Sequence, residues 1–400
     1  MTDTQRARLA QQVTCAALAM LLVLSEVFSS SIQSSLPQFS SVCRLALTGG
    51  AAALLLVKCL FLTVYDDRRQ LFVVLGALAY AAFAFLYSKD QWFFLIVLAG
   101  LAAKDIDLRA AVKVYLATAA SGLLLVQLLH YTTDLIPFSF YCRNWDFGYG
   151  HYNGYGARLL GVFLAWAWLR WPRLRWWDLA GLTGILVYTM LVPGSRGAMG
   201  AMALVLLLFV LLRLAPGLLH GRWAGVLAVG SYPLLSAASL LLARWFDPNA
   251  PFAVPLLGQL NRLLSGRLEV WNHVLFHTPL WHDDWTELCY GPQVRLSLLG
   301  GVMTDSDVHH SIDNTYLAVP LNKGLLGGVL VAAVFMLLLW RLWKGRHTGE
   351  LVLVLALMAY LVMENKPFLI TAHPLFLLLP CALLTPRGKP LNVVCPPDKE

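Results

Sequence analysis

The sequence predicts an all-α, polytopic membrane protein with about twelve transmembrane helices and one large loop. Three observations predict it. Of the 400 residues, 58% are hydrophobic, and the mean hydropathy is +0.66. Charged residues make up only 13%, roughly half of what a soluble domain carries. The apolar runs are rich in Leu, Ala and Val and too long for barrel strands, and a backbone in lipid must satisfy its own hydrogen bonds, so the spans are helices.

Runs long enough to cross roughly 30 Å of hydrocarbon fall near 12–30, 42–64, 70–88, 91–103, 109–130, 154–171, 177–193, 197–213, 223–244, 315–343, 350–364 and 367–385. The fourth and eleventh are short. An even count places both termini on one side. With that side inside, the inner segments hold 18 of the 30 Lys and Arg residues, among them Arg68, Arg69, Arg173, Arg175, Arg341 and Lys344; 11 lie outside and Lys58 within a span. Positive charge in short loops marks the cytoplasmic face. Both termini are therefore expected in the cytoplasm, and the net charge of +8 calls for no nucleic-acid partner. After the first run, Ser29 to Ser31 offers no A-x-A-like cleavage site, so this run reads as a retained helix rather than a signal peptide.

The chain reads as a single membrane domain, 1–400, with two outer elaborations at 131–153 and 245–314. The seven cysteines are scattered without metal-ligand spacing. Cys142 and Cys289 fall on the same side, where a disulfide between them is one reading.

In the first elaboration, Tyr141, Trp145, Phe147, Tyr149 and Tyr152 surround Arg143, Asp146, His151 and Asn153, with glycines between them. An interfacial aromatic belt is the plain reading. Aromatic faces beside a cation, an acid and an amide also suit a carbohydrate or phosphate site.

The second elaboration contains an amphipathic helix: Leu257, Leu260, Leu264, Leu268, Trp271 and Leu275 recur at steps of three and four. Gln259, Arg262, Ser265, Glu269, Asn272 and His273 fill the other face. Arg267 instead projects from the apolar side, where a cation is costly unless paired. An anionic ligand would resolve this, and so would a snorkelling side chain. A further cation, Arg196, sits in the turn VPGSRGAMG between two spans. There it anchors to headgroups or, with Ser195 and the N–H groups of the next helix, binds an anion.

The loop ends in DVHHSIDNTYL. His309, His310 and Asp313 form one metal reading, although adjacent histidines do not easily share an ion. A general-base reading has Asp313 taking a proton while His310 or Asn314 orients it. Ser311 or Asp313 would also serve as the N-cap of the following helix.

The order of RNWDFGYGHYN, the SRG turn, SGRLEVW in a long loop, and DNTYL followed by KGLLG resembles the Wzy-type polysaccharide polymerases of the O-antigen ligase and polymerase superfamily. The motifs span residues 141–329, about half of the chain. The resemblance implies a GT-C-type glycosyltransferase of the bacterial inner (cytoplasmic) membrane that needs neither metal nor cofactor. It would move a growing glycan from undecaprenyl diphosphate to a hydroxyl of the next lipid-linked repeat unit at the outer leaflet, alongside a flippase and a chain-length regulator. Arg196 and Arg267 match the diphosphate-binding arginines by motif. Asp313 is the preferred base and His310 the runner-up, since Asp313 stands where the ligase branch has histidine before Asn314. Arg143, Trp145, His151, Asn153, His309, Asn314 and Tyr316 complete the expected substrate site. An O-antigen ligase or related transferase is the nearer alternative, and a lipid-linked oligosaccharide flippase the more distant one.

Overall fold

The computed structural model describes residues 2–136, 140–141, 144–247, 250, 253–276, 312–386 and 389–395. It is helical apart from a two-residue antiparallel pairing of β1 (Phe140–Tyr141) with β2 (Asn144–Trp145).

Among the described residues, seven helices are long and apolar enough to cross a membrane: α1 (Asp3–Glu26), α3 (Pro37–Val57, continued by a π-turn to Leu62), α4 (Arg68–Ser88), α6 (Leu108–Thr132), α9 (Arg196–Leu214), α10 (Arg222–Trp245) and α13 (Thr315–Lys344). Short α2 (Ile32–Ser35) precedes α3. Local chemistry sets the boundaries. Thr2 and Gln5 close a capping box on α1, while Asp67 and Asp107 accept N–H bonds at the starts of α4 and α6. Four more expected spans are helices that are shorter or more polar: α5 (Gln91–Ala102), α7 (Tyr152–Arg170), α8 (Trp176–Leu191) and α14 (Thr348–Met363). The count of about twelve equivalent spans therefore does not carry over unchanged.

The correction falls mainly on the last expected span, 367–385. The chain leaves α14 at Glu364 with extended backbone (φ −144°, ψ 138°). It then runs through turns and a 3-10 turn at Leu375–Leu378 into five-residue α15 (Leu379–Leu383). Pro367, Pro374 and Pro380 prevent a continuous helix. The segment is apolar because it lies inside the protein: Ile370, Ala372, Leu377 and Leu378 are buried. Irregular backbone is tolerated at membrane depth when protein surrounds it.

Packing separates lipid-facing helices from central ones. On α3 and α4, Val42, Leu45, Phe61, Phe72 and Leu86 point outward, exposed on the bundle surface. On α7, by contrast, Tyr155, Leu160, Phe163, Leu164 and Trp168 are all buried, and the helix packs against α6, α8, α9 and α14. Gly161 is required there, because a Cβ would collide with the Thr371 carbonyl.

The second elaboration is also corrected. The periodic run 257–275 is two helices, α11 (Pro255–Leu263) and α12 (Arg267–Phe276). Ser265 (φ 59°) and Gly266 (φ 81°) both adopt the left-handed region and break the run between them. Asn272, placed on the polar face by periodicity, is buried and donates to the carbonyls of Ala243 and Phe246 at 2.8 and 2.9 Å.

The expected loops sort to two ends of the bundle. At one, Lys104 Nζ reaches Val64 O at 2.7 Å and Asp105 at 2.6 Å, and Lys389 pairs with Asp66 at 3.0 Å. At the other, the turns around residues 151, 196, 267, 313 and 364 meet.

Candidate functional site

At that second end, Arg267 opens α12. Its helix start is held by Asn261 Oδ1, which accepts from the backbone N–H groups of Leu268 and Glu269 at 3.0 and 3.4 Å. The guanidinium is nearly buried, with 11% of the side chain exposed. Nη2 donates to Glu364 Oε1 at 3.0 Å and to Asp313 Oδ2 at 3.4 Å, and Nη1 donates to Leu264 O at 3.3 Å. The cation on the apolar face thus has carboxylate partners within the chain, supplied by distant segments, where the sequence pointed to an external anion or a snorkelling side chain. Nε has no hydrogen-bond partner among the described residues.

Glu364 and Lys366 complete this cluster. Lys366 Nζ lies 2.6 Å from Glu364 Oε2, and Thr315 Oγ1 donates to the Glu364 carbonyl at 2.8 Å. Burial pushes the Glu364 carboxyl above its ordinary value, with Lys366 pulling the other way. Asp313 is the accessible acid of the group, its side chain 40% exposed against 1% for Glu364.

His151 faces these charges from the first elaboration. Its Nδ1 accepts from the Asn153 N–H at 3.0 Å, which makes it the N-cap of α7. Burial lowers its pKa first, and Lys366 and Arg267 push the same way while Asp313 and Asp146 oppose them. A ring that accepts at Nδ1 carries its proton on Nε2 when neutral, so it presents a donor rather than a base.

Arg196 opens α9 and is exposed. Its Nη1 donates to Ser265 Oγ and Arg262 O, both at 3.2 Å, and to Leu263 O at 3.4 Å. It therefore braces the break that sets the start of α12. Gly197 brings α9 against Tyr360, Met363 and Glu364 at the end of α14. Ser195 is wholly buried, which removes it from the exposed donors expected of that turn.

Other expected contact residues turn out to hold the scaffold. Asn314, with no exposed surface, is the N-cap of α13 in place of Ser311 or Asp313. Its Oδ1 accepts from the N–H groups of Tyr316 and Leu317, and its Nδ2 donates to Ser239 at 3.0 Å. Tyr316 is buried against Tyr232 and donates to Met358 O at 2.8 Å. Asn153 is buried in the first turn of α7. Trp145 is half-buried and stacks on Phe147 with ring centroids 6.0 Å apart. Arg143, His309, His310 and the Cys142–Cys289 pair lie outside the described residues.

Sequence reading missed a second ionic pair beside the site. Arg158 Nε lies 3.1 Å from Glu26 Oε2, Nη1 and Nη2 donate to Gly154 O and Ser25 O at 2.9 Å each, and the guanidinium stacks on Tyr149 at 3.9 Å. Both side chains are buried. Charged residues inside otherwise apolar helices were the available signal.

No family model, curated protein or solved structure matches this chain. Its chemistry is therefore read from the site alone: cations paired with carboxylates, one of those carboxylates accessible, and a half-buried Trp145 on the loop that carries His151.

Proposed function

We propose that the chain is a polysaccharide polymerase of the outer leaflet, using a glycan carried on undecaprenyl diphosphate as donor and the next lipid-linked repeat unit as acceptor. The observation that carries this reading is the Arg267 guanidinium, held between Asp313 and Glu364 beside Lys366 and His151 at one end of a membrane-embedded bundle. In the proposed step the acceptor oxygen forms a bond to the donor's anomeric carbon while the bond to the diphosphate oxygen breaks. The acceptor proton passes to Asp313. The bonding pair leaves with the diphosphate, whose growing charge Arg267 and Arg196 stabilise. The half-buried rings of Trp145 and Tyr152 supply faces for sugar stacking.

The test is direct. Purified protein in lipid nanodiscs, given a synthetic undecaprenyl-diphosphate repeat unit, is expected to yield a ladder of longer lipid-linked glycans. Transfer to a different acceptor without any ladder would favour a ligase. Two features support a transporter as a second reading: α13 is broken at Gly324 (φ 76°, ψ 171°), and the chain after Glu364 is irregular, as in discontinuous transporter helices. Movement of the intact lipid between leaflets of a proteoliposome, with no chain growth, would select it.

A further inference from the structure

Glu364 divides its carboxylate between two cations, with Oε1 accepting from Arg267 and Oε2 from Lys366. The three side chains differ in freedom. Glu364 is 1% exposed, Arg267 11% and Lys366 25%. The Glu364 backbone is pinned by Thr315, and its side chain is enclosed by protein and bonded at both oxygens, so the carboxylate is the fixed member of the three. Arg267 is fixed by two acids and the Leu264 carbonyl. Lys366 sits three residues beyond the end of α14 on a flexible four-carbon stem, and Glu364 is the charged partner it holds.

Counted with Asp313, two acids face Arg267 and Lys366, so these four side chains carry no net charge between them. These four groups add to the pull of Arg196 on an anion only if they uncover positive charge. Removing Arg267 from Glu364 would strand a buried carboxylate, which is costly. Removing the more exposed Lys366 leaves Glu364 still paired to Arg267, so the buried carboxylate is not stranded when the lysine turns away.

We propose that Glu364 is a positioning residue that fixes Arg267 and holds Lys366 in reserve, and that Lys366 changes partner from Glu364 to the phosphate head of an incoming lipid diphosphate. The identity of the anion rests on the reading given above. The partner exchange itself rests on the geometry, and no covalent bond is made or broken in it.

The experiment uses the full chain in nanodiscs with undecaprenyl diphosphate as probe and undecaprenol as the uncharged comparison. Lys366→Ala is expected to weaken binding of the diphosphate lipid by about tenfold, the size of one charge-assisted hydrogen bond. It should leave undecaprenol binding unchanged, and Lys366→Arg should restore most of the loss. Glu364→Gln keeps the shape but frees Lys366, so it should bind the diphosphate lipid more tightly while lowering kcat in the polymerisation assay. A purely structural carboxylate would give the opposite sign, with weaker binding and less folded protein. Lys113→Ala, on the exposed surface of α6 towards the other end, serves as the unchanged control. Wild-type binding by Lys366→Ala, or by Lys366→Gln where the alanine variant does not accumulate, would overturn the proposal. Weakened binding by Glu364→Gln would do the same. If the binding pattern appears but no polymer forms, the polymerase reading fails and the exchange stands. If polymer forms with unaltered KM in Lys366→Ala, the exchange fails alone.

Discussion

The same end of the bundle holds two arginines paired with carboxylates, Arg158 with Glu26 and Arg267 with Asp313 and Glu364, and they are built to opposite ends. Around Arg158 the guanidinium is closed on every side: a buried acid, two backbone carbonyls and the Tyr149 ring. Around Arg267 the acids are unequal. Glu364 is sealed, but Asp313 is 40% exposed and Lys366 opens the other flank. Burial alone therefore does not mark a working cation. What marks it is a buried anchor combined with an accessible partner.

The largest effect is expected at the sealed pair. Removing one partner of a buried pair costs about 3–5 kcal/mol, because the other charge is left uncompensated. Arg158→Ala should therefore lower the unfolding temperature sharply and reduce accumulation in the membrane. The double change Arg158→Met with Glu26→Leu should recover much of that loss, since hydrophobic replacement of such a pair is often neutral. Thermal unfolding of detergent-purified protein checks both. An Arg158→Ala variant as stable as wild type would erase the contrast between the two pairs.

At the open pair the expected loss is in turnover rather than folding. Asp313→Asn keeps the size and a hydrogen bond to Arg267 but cannot take the acceptor proton. Turnover should fall by on the order of 10²-fold or more with substrate binding nearly intact. Full activity in Asp313→Asn, with inactivity in His310→Ala, would move the base to the histidine.

Much of the fold was legible in the sequence, and the working end only in part. Apolar length located the helices because lipid imposes one requirement on every span. It failed at 367–385, where apolar residues are buried by protein and three prolines interrupt the helix, since composition does not separate those two surroundings. Arg267 was legible as an exception to its helix face. Its partner was not, because Glu364 stands 97 residues away and is brought over only by packing. Ser265 and Gly266 carried a visible signal, a turn pair inside an otherwise regular repeat, and the repeat of leucines masked it. Asn314 and Tyr316 show the converse. They lie in a motif that reads as contact residues, yet a cap and a buried hydroxyl bond account for both.

A smaller effect sharpens the comparison through pH. Burial holds the Glu364 carboxyl above its ordinary value, opposed by the charge of Lys366. The folded protein therefore keeps this proton to a higher pH than the unfolded chain does. Stability should fall as pH rises from the ordinary carboxylate value through the raised one. Glu364→Gln should flatten that slope in unfolding measurements across the window, and a slope unchanged from wild type would assign the titration to another group.

The smallest expected effect lies at Trp145. Trp145 is half-buried, stacked on Phe147, and its backbone N–H donates to Val192 O at 3.4 Å. Replacing the side chain leaves that backbone bond in place, so the turn should keep its path. An aromatic contact beyond simple burial is worth about 0.5–1.5 kcal/mol. If Trp145 stacks on a sugar equally in ground and transition states, Trp145→Ala should raise KM by about two- to tenfold with kcat unchanged, the signature of lost uniform binding. Steady-state kinetics with the synthetic repeat unit measures this split. A fall in kcat at constant KM would instead tie the ring to the transition state, and no change in either would leave Trp145 as part of an interfacial belt that rests on lipid headgroups.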